Sequence, residues 1–385
     1  MADQFTEVTT KSWGKRIMDS FLGVLIGLAL FLISFVVLWK TEGRTDYSKI
    51  AKTAVEVPSG KTEPQADGRL VSVTAPLETP DMLGDPGFLK PGSYITLERR
   101  VEMFAWVEEK HSKTEKKTGG SEVTTTTYTY KKEWTADPEP ASEFKHPEGH
   151  ENPVLEVEAK DFKAPSAKVG AYAVDLEAIG LPSPSDLELT PGKLDLPKWS
   201  GYTLSGNFLF KNHGSLGGGS GTMGDPDVGD IRISYRALPS GKKVTAFGKA
   251  SGAALEPYLH KGEKRLYRAI AGTRDEAIQQ MRAEYKVMGW VGRIVGFLMM
   301  WFGLLMMTGP LSTILDVLPF LGSASRFVIG LMTFPIALVL SLVTILISII
   351  AHNVIALIIV LALVLGGGFL LYNRKRAAPA APPAK

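Results

Sequence analysis

The chain has 385 residues, a formal net charge of +3 and no cysteine. So small a charge, with Lys and Arg interleaved among Asp and Glu, excludes the basic stripe of a nucleic-acid surface. The missing cysteine excludes disulfides, thiolate metal sites and Cys nucleophiles.

Residues 1–20 read as a cytoplasmic tail carrying Lys11, Lys15 and Arg16. Residues 21–38 form an uncharged run close to the ~20 residues that cross a bilayer as a helix. It is long for a signal peptide and lacks a small-residue cleavage site, so it is expected to remain as an anchor.

Residues 39–272 are polar and are expected to form an extracytoplasmic β-rich domain. Without disulfides such a domain rests on its hydrophobic core, which points to a bacterial periplasm. Ile95, Leu97, Val101, Met103, Ala105 and Val107 alternate with Glu98, Arg100, Glu102 and Glu108, the period of a half-buried strand. Tyr128, Tyr130 and Trp134 mark the inner face of a strand over 124–134, with His111 to Ser121 as a long loop between the two. Further strands are expected over 69–77, 155–162, 202–210, 231–238 and 243–250.

From Thr273, with Glu276 three residues on, a capping box opens an amphipathic helix over 273–309 that runs into a second span. Residues 310–326 begin after Gly309-Pro310; their apolar part is too short to cross, so a re-entrant or interfacial segment is expected. Two further spans are expected over 327–350 and 354–372, joined by Ala351-His352-Asn353, before a tail at 373–385. Arg374, Lys375 and Arg376 after the last span, with the basic residues before the first, place both termini in the cytoplasm. The fold class is an α+β membrane protein: one N-terminal and three C-terminal transmembrane helices around a β-rich extracytoplasmic domain.

His146 and His150 are four apart, but Pro147 and Gly149 forbid the helix that would aim both at a metal. Asp225, Asp227 and Asp230 lack the spacing and terminal Glu of a calcium loop and read as a turn. The Gly-rich run at 213–221 has no Lys-Ser/Thr after it and is no phosphate loop. No catalytic constellation is present, so the chain reads as a non-enzyme without cofactor or metal. Arg293, Asp316, Arg326 and His352 are ionisable groups at or near membrane depth; they read as helix-end anchors, the alternative being an ion path on which Arg293 and Asp316 face each other. Ser341, like Thr344, needs only a helix-internal or interhelical hydrogen bond.

Several separated motifs resemble the LUMA family (transmembrane protein 43). They are Thr41-Glu42-Gly43-Arg44, Asp67-Gly68-Arg69-Leu70, Arg99-Arg100-Val101-Glu102-Met103-Phe104-Ala105-Trp106, Tyr128 to Trp134, His150-Glu151-Asn152-Pro153, and Val228-Gly229-Asp230-Ile231-Arg232. The resemblance implies four spans, cytoplasmic termini and a luminal domain. It also implies self-association and binding of other envelope proteins, which in animal members of the endoplasmic reticulum and inner nuclear membrane include lamins and emerin. A bacterial member has no nuclear envelope, so only the architecture and a scaffolding role carry over. The expectation is therefore a homo-oligomeric membrane scaffold, with Glu42, Gly43, Arg44, Gly68, Arg69, Arg99, Arg100, Glu102, Trp106, Trp134, Asp225, Asp227, Gly229 and Asp230 as interaction or folding determinants. Alternatives are a channel or transporter subunit with a path past Arg293 and Asp316, and a membrane-bound enzyme.

Overall fold

The computed structural model describes residues 3–197, 200–214, 221–316, 319–353, 357–360, 362–363 and 365–366. The chain divides into two compact units: Met1–Thr9, Asp46–Lys113 and Thr124–Ala283 form the first, and Thr10–Thr45, Thr114–Val123 and Glu284–Lys385 the second.

The first unit is built on strands. Numbered along the chain, one sheet has the order β1 (Asp3–Lys11), β7 (Glu122–Thr135), β6 (Tyr94–Lys116), β14 (Ile231–Pro239), β13 (Phe208–Lys211) and β12 (Tyr202–Ser205). In that sheet β11 (Ser185–Asp186) also pairs with β14, and β8 (Lys160–Lys163) with β6. A second sheet runs β19 (Arg268–Ala271), β15 (Lys242–Ser251), β16 (Ala254–Glu256), β10 (Tyr172–Val174), β9 (Ala167–Val169), β3 (Leu70–Glu78) and β2 (Val55–Val57). Two small ribbons pair β4 (Leu83–Asp85) with β5 (Leu89–Gly92) and β17 (Tyr258–His260) with β18 (Lys264–Leu266).

The period-two pattern explains which face of each strand is inside. Ile95, Leu97, Val101, Met103 and Ala105 of β6 are all buried, and Leu97, Val101 and their β14 neighbours Ile231, Ile233 and Tyr235 share one core. The second sheet builds its own core from Val71, Val73, Leu77, Val244, Ala246 and Tyr267, among others. A short helix α2 (Tyr47–Lys52) and the start of α3 (Arg274–Met307) cover Leu70, Phe247 and Ile270 with Ile50, Ala277, Ile278 and Met281.

Several boundaries differ from the sequence reading. The stretch from His111 is strand as far as Lys116, and the turn is only Lys117 to Ser121, closed by Lys117 N–H donating to Ser121 O at 2.9 Å. Its charged residues hid it, because a ribbon polar on both faces shows no period-two alternation. The expected strand over 202–210 is a hairpin broken at Gly206-Asn207, where Gly206 has φ +58°. The one over 155–162 is strand only from Lys160. Residues 3–11, read as tail, form β1 against β7.

The second unit is helical. α1 (Trp13–Glu42) outruns the apolar stretch at both ends because Ser12 caps its start, accepting from Lys15 N–H, and Gly43 N–H closes its end on Trp39 O. α3 opens with a reciprocal capping box: Glu276 Oε2 accepts from Thr273 N–H at 2.7 Å, and Thr273 Oγ accepts from Glu276 N–H. The expected re-entrant segment is occupied by α4 (Gly309–Leu315) and the beginning of α5 (Pro319–His352). Among the described residues three helices, α1, α3 and α5, are long and apolar enough to cross a membrane. The span expected over 354–372 lies largely outside the described residues, as do the tail 373–385 and the Arg326 side chain.

Small residues let α1 and α3 approach closely. A Cβ on Gly27 would stand 2.7 Å from Gly303 O, and one on Gly303 2.8 Å from Gly27 O, so the two backbones are in direct contact. Further along the same seam Gly292 faces Thr41 and Gly296 faces Leu38. Leu38, Met300 and Ala337 are buried at the centre of the bundle, with Phe35, Phe297 and Trp301 packed around them.

Candidate functional site

The family-motif residues fall into separate clusters within the two units. In the strand unit, Arg99 from β6 points at Asp85 from β4, with Nη1 at 3.1 and 2.9 Å from the two carboxylate oxygens. Tyr235 donates its hydroxyl to the same Asp85 at 2.6 Å, and the Arg99 guanidinium lies 5.0 Å over the Phe88 ring. Asp85 is almost fully buried, so Arg99 supplies the counter-charge that burial demands. Burial first, and then the Asp85 hydrogen bond, push the Tyr235 phenol above its ordinary range. Asp85 and Tyr235 were not singled out in the sequence, since only the fold brings residue 235 opposite 99.

Glu102 and Arg232 are direct partners in the β6–β14 register and form an ion pair at 2.6 Å. The Arg232 guanidinium is sandwiched between Trp134 at 4.6 Å and Phe208 at 4.8 Å, so Trp134 serves as a platform for a neutralised cation. Arg100 points to the opposite character: it is half exposed, 3.8 Å from Glu98, on a cleft of about 490 Å³ shared with Glu102, Asn207 and Phe208.

Trp106 is clamped by Asn152, whose side chain accepts from Trp106 N–H at 2.8 Å and donates to Trp106 O at 2.9 Å, imitating a strand partner. His150 stands edge-on to Trp106 and stacks on Tyr130 at 3.9 Å; its Nδ1 contacts His146 O, not a shared ligand site with the His146 ring, which stacks on Phe5. Gly229, at φ +97°, donates to Phe104 O, and a side chain there would collide with His213 and Pro153. Asp230 is fully buried and accepts from His213 N–H at 3.0 Å and Asp227 N–H at 2.9 Å, which makes it a loop organiser. Asp225 and Asp227 are exposed, so the three carboxylates do not converge. Gly68, at φ +75°, and the exposed Arg69 belong to the turn into β3, held by Gly68 N–H on Ala250 O. Among the described residues no group of three or more His, Asp or Glu is placed to hold a metal.

In the helical unit the ionisable residues separate to the two ends of α1. At its C-terminal end Arg293 grips Glu42 through Nε at 2.7 Å and Nη2 at 2.9 Å. Arg44 donates to Tyr285 O and lies 5.0 Å over the Tyr285 ring. Gly43 admits the His352 ring, which also packs on Trp39 and bonds Ser348 O through Nδ1. At the N-terminal end Asp316, fully buried, binds Arg16 at 2.5 Å and also Lys116. Arg293 and Asp316 therefore do not face each other; each has a nearer partner of opposite sign. Ser341 donates to Leu338 O of its own helix at 2.9 Å.

Three comparisons bear on this arrangement. The family model described as Transmembrane protein 43 matches residues 103–354. The mouse Transmembrane protein 43 is 27% identical over 356 residues, covering 86% of this chain and 84% of its own length. The human protein of that name is 26% identical with the same coverage, and the Drosophila homologue is 27% identical over 72% of this chain and 74% of its own. No solved structure matches.

Proposed function

We propose, from the premise that this chain belongs to the transmembrane protein 43 family, that it is a multi-pass scaffold which binds further copies of itself and gathers other membrane proteins of its envelope. The observation that carries the reading is the flank of β1. This strand ends the eight-stranded sheet, is nine residues long, contains no proline, and leaves seven of its nine side chains exposed. Such an edge offers a row of backbone donors and acceptors to another strand. A second copy supplies an identical edge, so pairing closes about a two-fold axis.

The motif residues support the same reading, because Arg99, Glu102, Trp106, Asp230 and Glu42 are engaged with neighbours in the fold and not turned toward a substrate. Basic residues before the first span and after residue 372 favour cytoplasmic termini. The test is a Val8→Cys variant of the full chain, whose only thiol is then the introduced one. Oxidation in native membranes is expected to give a disulfide-linked dimer that Asn207→Cys does not give. A monomer under both conditions rejects self-association through β1.

A further inference from the structure

Within the helical unit α1 and α5 lie side by side and end at the same level. Ser348 Oγ donates to Trp39 O at 3.2 Å, and the His352 ring packs 4.8 Å from the Trp39 ring. One turn further in, Leu38 and Ala337 are buried at the centre of the bundle, with Phe35 and Leu340 partly buried against them. Outside that contact the two helices diverge, and a groove of about 510 Å³ opens between them. Its walls are Val36 and Trp39 of α1 and Leu340, Val343 and Ile347 of α5, and Lys40 stands at the end nearest the helix termini.

The groove is apolar along its length. Thr344 also lines it, but the Thr344 hydroxyl donates to Leu340 O of its own helix at 2.7 Å, so what the wall presents is hydrocarbon. Val36, Trp39, Val343 and Ile347 are each about half exposed. Both helices are long and apolar enough to cross a membrane, so in a bilayer these side chains meet lipid. A recess left unfilled forfeits the dispersion contacts of its walls, and an acyl chain has the shape to supply them. From Leu340 to Ile347 the wall runs roughly 10 Å at about 1.5 Å per residue, the course of part of one chain.

The mouth carries uncompensated positive charge. Glu42, two residues beyond Lys40, is held by Arg293, so Lys40 is exposed and has no acidic partner among the described residues. Arg44 adds a second cation at this end of α1, and Trp39 is the kind of side chain that sits at headgroup level. We propose that the groove between α1 and α5 is a binding site for one anionic phospholipid, with an acyl chain along Val36, Leu340 and Val343 and the phosphate at Lys40. A zwitterionic lipid brings its own cation to the mouth and is held less well. The site goes beyond scaffolding and does not need β1 to pair with a second copy; it requires only that α1 and α5 span.

Native mass spectrometry of the detergent-solubilised full chain tests it, with dioleoyl phosphatidylglycerol and dioleoyl phosphatidylcholine as probes. The unmodified chain is expected to retain the anionic lipid at least fivefold more than the zwitterionic one. Lys40→Gln should remove that preference while leaving retention of phosphatidylcholine unchanged. Val343→Trp, or Val36→Trp from the opposite wall, fills the groove and should lower retention of both lipids several-fold. Leu342→Trp, exposed on the same helix but outside the groove, should change neither. Equal retention of the two lipids by the unmodified chain, or a preference that survives Lys40→Gln, overturns the headgroup assignment. Groove-filling variants that retain lipid as well as Leu342→Trp does overturn the site, and if they also turn a dimer into a monomer the occupant is a second copy.

Discussion

Arg293 of α3 holds Glu42 of α1 with two hydrogen bonds, 2.7 and 2.9 Å, to the two carboxylate oxygens. Glu42 is nearly buried and Arg293 about one-third exposed, so the carboxylate depends on its partner more than the guanidinium does. Arg293→Ala is expected to cost about 3 kcal/mol, the low end for stranding a buried charge. The exchange Glu42→Arg with Arg293→Glu should recover much of the thermal stability lost by either single change in detergent. Equal losses for the single variants and the exchange would mean that the pair is packed but not coupled.

How far the sequence discloses this arrangement depends on the range of each interaction. Glu276 and Thr273 are three residues apart, and their capping box is readable from spacing alone. The inner face of β6 from Ile95 to Ala105 is likewise readable from its alternation. Glu102 was singled out in the sequence, but its partner Arg232 is 130 residues away, and Asp316 meets Arg16 across 300; no local pattern records such pairs. β1 was hidden for a different reason. Asp3 to Lys11 has three Thr, one Val and one Phe but buries almost nothing, so it has strand-forming residues without the hydrophobic alternation that reveals a strand.

The seam between α1 and α3 tolerates no side chain at its closest point. Gly27→Leu or Gly303→Leu forces the backbones apart and is expected to cost on the order of 3 kcal/mol, at the upper end for overpacking. Gly23→Leu lies on the same helix with nothing within 4 Å and should be nearly silent. Thermal aggregation midpoints of the three variants measure the contrast; a loss at Gly23 as large as that at Gly27 would assign the effect to helix propensity and not to packing.

At the hairpin turn, Gly119 and Gly120 both have positive φ, but only Gly120 is pressed against Trp13. Alanine at Gly119 pays the left-handed backbone penalty of about 1 kcal/mol. At Gly120 the same change adds a collision that must lift the turn from the start of α1. Trypsin cutting after Lys116 or Lys117 is expected to accelerate at least tenfold in Gly120→Ala and only slightly in Gly119→Ala. Equal rates would show that the turn is not held by Trp13 in solution.

The tyrosines of the strand core set its behaviour in alkali. Burial, then the nearby charge of Glu156, pushes Tyr202 from the ordinary 10.0 up to about 12, and Tyr235 is also raised, by burial and its bond to Asp85. Both stay protonated in the fold at a pH where an unfolded tyrosine ionises. Their stabilising effect is fully present below pH ~10 and is lost as pH rises through about 12 for Tyr202. Unfolding midpoints should therefore fall steeply above pH ~10. Tyr202→Phe should lessen that fall, and it should also be neutral or slightly stabilising near pH ~7, because the buried Tyr202 hydroxyl has no hydrogen-bond partner among the described residues. A Tyr202→Phe chain that loses more than about 1 kcal/mol at neutral pH would show that the hydroxyl is bonded after all.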